Sequence, residues 1–265
     1  MTEAQTYQRV QAALQDLKFL SALDGLDALA QQAAAEHWPY LAFLDRLTQA
    51  ELAARAEQTI ARNSRRARFP FAKTLDQFDF ACQPSINEPQ IRDLATMRCV
   101  AHGENVLLLG PPGVGKTHLA VSLGLAAILQ GMTVLFYTVA DLLDLLAQDA
   151  KADRLPSRLK ALARPDVLIL DEMGYFPIDK RAAQFFFQLV SQRYLKGSII
   201  LTSNQSYGDW GSIFSETVLA TAILDRLLHT STTVNIRGES YRLREKRQAG
   251  VFPDLVDLSS SAAKE

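Results

Sequence analysis

The sequence predicts an α/β protein, a three-layer sandwich around a parallel sheet, preceded by a small all-helical domain. Three observations carry that expectation. Five short runs, Val106–Leu109, Thr133–Tyr137, Val167–Leu170, Ser198–Thr202 and Thr232–Ile236, alternate with stretches of helical periodicity. Solid apolar runs of this kind are strands covered on both faces, and helices between them make the strands parallel. The first run leads directly into the spacing G-x-x-x-x-G-K-T, made by Gly110, Gly115, Lys116 and Thr117, which is a phosphate-binding loop between a strand and a helix. Residues 1–68, by contrast, repeat apolar residues only at helical spacing.

The chain of 265 residues exceeds one ordinary domain and can bury a sizeable core. Its 48% hydrophobic and 22% charged residues exclude a disordered protein. A formal net charge of −1 gives no global attraction to nucleic acid, so any such contact must come from local patches. Cys82 and Cys99 form no CxxC pair, and His37, His102, His118 and His229 are scattered, so no metal-ligand spacing is present. Two cysteines suit a reducing compartment, with a single disulfide between them left open. The N-terminus lacks the basic and apolar regions of a signal peptide, and no apolar run reaches membrane-spanning length. The expected location is the cytoplasm, with no membrane partner.

Within residues 1–68, Val10, Leu14, Leu17 and Phe19–Leu20 mark one helical pattern, and Leu41, Phe43–Leu44, Leu47 and Leu52 another. Gly25 and His37-Trp38-Pro39 punctuate them, with Pro39 suited to a first helical turn. At the end of this region Arg55, Arg62, Arg65, Arg66, Arg68 and Lys73 face only Glu57 as an opposing charge. The run reads equally as a solvated face and as a phosphate-contacting one, with Arg62, Arg65, Arg66 and Arg68 the candidate DNA residues. Phe69-Pro70-Phe71 ends the helix, and Phe78, Phe80, Pro84 and Pro89 precede a helical stretch from Gln90 to about Val100. These rings read either as core or as a cover for a nucleotide base.

The loop itself supplies most of the chemistry. Gly110, Pro111, Pro112, Gly113, Val114, Gly115, Lys116, Thr117 and His118 are the candidate nucleotide-binding residues. Glycines let the backbone turn its N–H groups toward phosphate oxygens. Lys116 offers a charge to the β- and γ-phosphates, Thr117 a hydroxyl to Mg²⁺, and the following helix its positive end. That helix, with Leu119, Leu123 and Ala126–Ala127 on one face, stops at Gly131. After the second strand a helix begins near Asp141, and then Lys151, Arg154, Arg158, Lys160 and Arg164 oppose only Asp149 and Asp153. Arg154 and Arg158 would share a helix face; Lys151, Arg154, Arg158 and Lys160 are further candidate DNA residues.

The third strand ends in Asp171-Glu172. Asp171 is placed to hold the metal, beside Thr117, and Glu172 to polarise the water that attacks the γ-phosphate. An amphipathic helix, Asp179–Lys196, closes at Gly197; the fourth strand then runs into Ser203-Asn204. Asn204 reads as a sensor between γ-phosphate and water, or as a turn-former. A helix, Leu219–His229, carries Asp225-Arg226 before the last strand. A basic segment, Arg237, Arg242, Arg244, Lys246 and Arg247, and a serine-rich tail close the chain. Lys116, Asp171 and Asn204 all fall at carboxyl ends of strands, where parallel sheets bind ligands. The catalytic set is therefore Lys116, Asp171, Glu172 and Asn204.

These residues resemble the AAA+ ATPases: Walker A GPPGVGKT, Walker B VLILDE, sensor-one LTSN and a later arginine in LDRLLH. More narrowly, Phe69–Phe80 (FPFAKTLDQFDF), Leu168–Pro177 (LILDEMGYFP) and Gly238–Arg242 (GESYR) resemble the IstB-like family, ATP-binding helpers of insertion-sequence transposons close to DnaC-type helicase loaders. The resemblance spans the whole chain. It implies ATP and Mg²⁺ as cofactors, a homo-oligomer assembled on double-stranded DNA, and a partner transposase. It makes Arg226 a catalytic arginine finger reaching a neighbouring subunit's γ-phosphate, Arg242 a second sensor, and Lys151–Arg164 an added helical element facing DNA. The sequence after Arg237 is too short for the helical lid of the wider group. The expected layout is a helical domain at 1–68, an AAA+ ATPase domain at 69–248 and a tail at 249–265.

Four functions compete at this level. A transposition helper and a replicative helicase loader share one engine and differ in partner. A small-molecule P-loop kinase has no need of Glu172, and a purely architectural DNA-binding protein has no need of Lys116, Asp171 and Glu172.

Overall fold

The structure, a computed structural model, describes residues 2–241; Arg242, Arg244, Lys246, Arg247 and the serine-rich tail lie outside the described residues. The chain divides into two compact units, Met1–Arg62 and Asn63–Glu265.

The first unit holds α1 (Glu3–Asp16), α2 (Leu20–Ala35) and most of α3 (Tyr40–Ala67). Leu14, Ala22, Leu26 and Leu47 form its core, packed by Tyr7, Phe19, Leu23, Leu29 and Phe43. The break expected at Gly25 falls instead at Lys18, which takes a left-handed φ of 57°. Gly25 lies inside α2. A glycine costs a helix only about 1 kcal/mol relative to alanine, and burial of Ala22 and Leu26 on the same helix offsets it. Pro39 precedes α3 and its carbonyl accepts from Ala42 and Phe43. Buried Glu51 of α3 accepts from the Ser21 and Ala22 N–H groups at the start of α2. Arg55 pairs with Glu51 at 2.8 Å and donates to the Lys18 carbonyl, so this member of the basic run is tied to its own unit.

In the second unit, two short 3-10 turns, Leu75–Gln77 and Phe80–Cys82, lead to α4 (Glu88–Leu94) and α5 (Arg98–Ala101). The single helix expected from Gln90 to Val100 is thus two, because Met97 turns into the left-handed region at φ 57°. Then follow β1 (Asn105–Leu109), α6 (Lys116–Leu129), β2 (Val134–Thr138), α7 (Val139–Lys151), α8 (Leu155–Ala163), β3 (Val167–Met173), α9 (Lys180–Arg193), β4 (Ser198–Ser203), α10 (Trp210–Ile213), α11 (Thr217–Leu228) and β5 (Ser231–Asn235).

The five strands form one parallel sheet in the order β2-β3-β4-β1-β5. Alternate residues of a strand point to opposite faces, and β3 shows both. Leu168 and Leu170 join the core made with α7, α8, α9 and α11, whereas helix α6 packs over the sheet's other face. α6 is buried on most of its circumference rather than along one stripe, because Phe69 and the chain after it also cover that side. Phe69 meets Phe136 of β2 edge-on, centroids 6.4 Å apart, as a core ring.

At the amino-terminal edge of the sheet, Arg193 is 1% exposed and donates to the carbonyls of Leu162, Pro165, Asp166 and Ser198. Burial pulls its pKa down to about 10, opposed by Asp166. Asn105, also buried, accepts from Ile199 N–H and donates to the Leu227 carbonyl, tying β1 to β4 and α11. Neither residue carries a signal in the sequence. Neither Cys82 nor Cys99 is in a disulfide, and the Cys82 Sγ donates to Asp79 Oδ2.

Candidate functional site

Parallel pairing puts the carboxyl ends of all five strands on one edge. Leu109 registers with Ser203 on one side and Asn235 on the other, and Asp171 with Thr138. The loop 110–115, Asp171, Glu172 and Asn204 therefore share one rim, as the sequence predicts.

The loop is shaped by close neighbours. Gly113 and Gly115 take φ of 81° and 95°. A Cβ on Gly115 would lie 2.6 Å from Cε2 of Phe78, and one on Gly113 would lie 2.0 Å from Oγ of Ser240. Only glycine fits either place. The wrapping segments come from both flanks of the unit: His118 contacts the Thr74 carbonyl at 3.1 Å, Ser122 donates to the Lys73 carbonyl, and Tyr241 N–H donates to the Gly113 carbonyl. Gln83 and Ser85 in turn hold the carbonyls of Glu239 and Arg237. Phe78 sits 5.2 Å from the His118 ring and 4.9 Å from Phe80, beside the loop. Burial pushes His118 below its ordinary pKa, against the Thr74 carbonyl.

Lys116 opens α6 and is buried; its Nζ donates to the carbonyls of Gly110 and Pro111 at 2.7 and 2.8 Å. The Thr117 hydroxyl lies 3.0 Å from both carboxylate oxygens of Asp171. Hydroxyl and carboxylate oxygens are the hard ligands Mg²⁺ takes, so Thr117 and Asp171 fit that ion, and the glycine backbone beside them fits phosphate.

Thr202, which sequence reasoning passed over inside the LTSN stretch, joins the two acids. Its hydroxyl donates to Asp171 Oδ1 at 2.5 Å and accepts the Glu172 N–H at 3.0 Å. Glu172 lies where the β3–β4 register shifts, with φ 66°, and its side chain is exposed while Asp171 is buried. A left-handed non-glycine residue costs about 1–2 kcal/mol, and the irregularity turns neighbouring acids to different surroundings. Asn204 Oδ1 is buried and accepts no hydrogen bond among the described residues, an acceptor that suits a donor such as a water's O–H.

The remaining candidates lie elsewhere. Arg226, in the last turn of α11, has its guanidinium 4.3 Å from the Phe187 ring centroid and donates weakly to the Ala222 carbonyl. No ion pair joins it to Asp225 or Glu172 among the described residues. Arg242 lies outside the described residues. Of the basic run at Lys151–Arg164, Arg158 and Arg154 donate to buried Asp149 at 2.5 and 3.1 Å. Arg158 first, then Arg154, holds the Asp149 carboxyl below its usual range. Arg154 and Arg158 share a face on which both pair with one internal acid, while Lys151 and Lys160 are exposed. Arg68 ends α3 at φ 61° and lies over Tyr137. Arg62, Arg65 and Arg66 are exposed.

A family model described as IstB-like ATP binding protein matches residues 12–249. The chain is 49% identical over 227 residues to the insertion sequence IS21 putative ATP-binding protein of Pseudomonas aeruginosa, covering 86% of each. It is 46% identical over 220 residues to the insertion sequence IS5376 putative ATP-binding protein of Geobacillus stearothermophilus, covering 83% of this chain and 88% of that one. Among solved structures, AMPPCP-bound DnaA from Aquifex aeolicus matches with a TM-score of 0.53 at 20% identity, over 70% of this chain and 58% of that one. That likeness concerns the fold alone, which is the AAA+ P-loop NTPase fold. No helix among the described residues is long and apolar enough to cross a membrane.

Proposed function

The chain belongs to the IstB-like ATP-binding protein family, and on that premise we propose that it is an Mg²⁺-dependent ATPase that assembles on duplex DNA and regulates a partner transposase. The observation that supports hydrolysis best is the linked set Thr117–Asp171–Thr202, with Glu172 next in the chain. In this reading the loop amides and Lys116 bind the triphosphate. Thr117 and Asp171 hold Mg²⁺, which when bound neutralises charge on the β- and γ-phosphates. Glu172 takes the proton of the attacking water, and Asn204 orients that water through its orphaned oxygen. His118 and Phe78 pack against the nucleotide side of the loop.

DNA contact in this reading comes from exposed Arg62, Arg65, Lys151 and Lys160, and works through phosphates without strong base preference. Arg226 serves the neighbouring subunit's site in a homo-oligomer, and the protein acts in the cytoplasm. Relatives at 49% and 46% identity carry insertion-sequence names, which favours a transposase over a replicative helicase as partner. The test is ATP turnover by the full chain with and without duplex DNA of unrelated sequence. Stimulation by DNA, steeply weakened by salt, supports the reading; turnover that is absent under both conditions sinks it.

A further inference from the structure

β3 and β4 lose their backbone pairing where the two acids sit. From Leu170 to Met173 β3 advances three residues, while β4 advances two, from Leu201 to Ser203. The extra residue on β3 interrupts the ladder, and side chains from β4 and the turn after it take its place. Thr202 accepts the Glu172 N–H. Ser203 is buried; its hydroxyl donates to the Met173 carbonyl at 3.0 Å and accepts the Gln205 N–H at 3.1 Å. Gln205 Nε2 then donates to the Gly174 carbonyl at 3.0 Å. Glu172, Met173 and Gly174 are thus each met by a side chain, from Thr202, Ser203 and Gln205 in turn.

Asn204 stands inside this stitching. Gly174 takes φ of 91°, and a Cβ there would lie 3.1 Å from Asn204 Oδ1 and 3.3 Å from Cγ of Gln205. The Asn204 amide and the Gln205 stem therefore lie against the same glycine, two residues after Glu172. A carbonyl only accepts, so Gly174 fixes which end of the Gln205 amide faces it. The Gln205 side chain is thus anchored at its tip while its stem stands beside Asn204. Gln205 carries no signal of this in the sequence.

We propose that Gln205 is a positioning residue for hydrolysis that acts through Asn204: anchored on Gly174, it holds the Asn204 amide in a fixed relation to Glu172. The inference rests on the ATPase reading, in which Glu172 takes the proton of the attacking water and Asn204 orients that water. Displacement of such a group by about 1 Å can cost ~10²-fold in rate, so an anchor at this point has work to do. In that role Gln205 meets neither nucleotide nor water itself. Its loss therefore lowers turnover and spares nucleotide binding, unlike the loss of Lys116.

The test is a double-mutant cycle in the full chain, with ATP turnover and equilibrium binding of a fluorescent ATP analogue measured for each variant. Gln205→Met keeps the length of the side chain and removes the donor. Gln205→Asn keeps the amide on a stem one methylene shorter, and serves should the methionine substitution unfold the chain. Ile128→Val, a buried truncation near the end of α6 away from the loop, controls for plain loss of stability. Gln205→Met should lower kcat at least ~5-fold with affinity within ~2-fold of wild type, a loss that one hydrogen bond accounts for. Asn204→Ala should lower kcat at least as far, and the two changes together no further than Asn204→Ala alone. Unchanged kcat in the Gln205 variants, an equal loss in Ile128→Val, or a loss that multiplies with that of Asn204→Ala overturns the inference. Failure of both Gln205 variants to fold does so too, because the residue then serves the fold. Wild type and Glu172→Gln run alongside: no turnover by wild type, or normal turnover by Glu172→Gln, removes the ATPase reading and the inference with it. Active wild type, impaired Glu172→Gln and unchanged Gln205→Met remove the inference alone.

Discussion

Thr202 of β4 donates its hydroxyl to Asp171 of β3 at 2.5 Å, and this bond crosses the strand pair at the rim that carries the glycine loop. The same oxygen accepts the Glu172 N–H. One hydroxyl therefore meets both the acid proposed to hold the metal and the backbone of the acid proposed as the base. Thr202→Val keeps the shape and removes both bonds. ATP binding should stay near normal while kcat falls ~10-fold, the equivalent of a hydrogen bond to a charged group of about 1.4 kcal/mol. Thr202→Ser should recover most of the loss; a melting-temperature drop with unchanged kcat would show that the threonine only packs.

Glu172 and Lys116 should fail in different ways. Glu172→Gln preserves size and removes the base, so nucleotide binding should persist with hydrolysis reduced ~10²-fold or more. Lys116→Ala should lose nucleotide affinity itself. Equilibrium binding of a fluorescent ATP analogue beside steady-state turnover separates the two, and near-normal turnover by Glu172→Gln would remove it from the proposed role.

Arg226 stacks on Phe187 instead of pairing with an acid, so its charge is not neutralised by an ion pair among the described residues. If it serves a neighbour's site, Arg226→Ala should bind ATP and hydrolyse ~10³-fold less or lower. Mixing it with Lys116→Ala should restore part of the activity, because some interfaces then join an intact loop to an intact arginine. Co-purification of differently tagged chains first establishes mixing; mixed oligomers on DNA without recovery would exclude action in trans.

Asp149 gives a pH signature. Its carboxyl is held below its usual range, chiefly by Arg158, so it binds fewer protons folded than unfolded. Its contribution is complete above the ordinary carboxylate pKa near ~4 and is lost as pH falls through the lower folded value. Arg158→Ala should lower the melting temperature by a few degrees at pH 7, and the difference should shrink below about pH 4. A gap that stays constant with pH would refute the pairing. For the same reason Lys151→Glu and Lys160→Glu probe DNA contact more cleanly than changes at Arg154 or Arg158, which disturb the fold.

Much of the fold was legible because its signals are local. Four strands fell within one residue of their expected limits and the third ran three residues past its expected end, to Met173; a strand buried on both faces is apolar throughout, which made the central ones easiest to place. The spacing around Lys116 located the loop, and two acids ending a strand located Asp171 and Glu172. The helix breaks at Lys18 and Met97 were not legible. Lysine and methionine rarely take left-handed φ, and nothing in their neighbourhood marks it. Gly25 gave the opposite error, because a helix with a buried face tolerates one glycine.

What the sequence determined by itself is the kind of site and the edge of the sheet that carries it, both being consequences of residue type and strand order along the chain. Tertiary structure alone decided which side chains meet. Thr202 bridges two acids because β3 and β4 are neighbours, Ser240 and Phe78 press on loop glycines from segments far away in sequence, and Arg193 is a buried carbonyl clamp. Charge runs were the least informative. A guanidinium has the same letter whether it faces solvent, as Arg66 does, or an internal carboxylate, as Arg158 does; only the partner brought beside it by packing distinguishes the two.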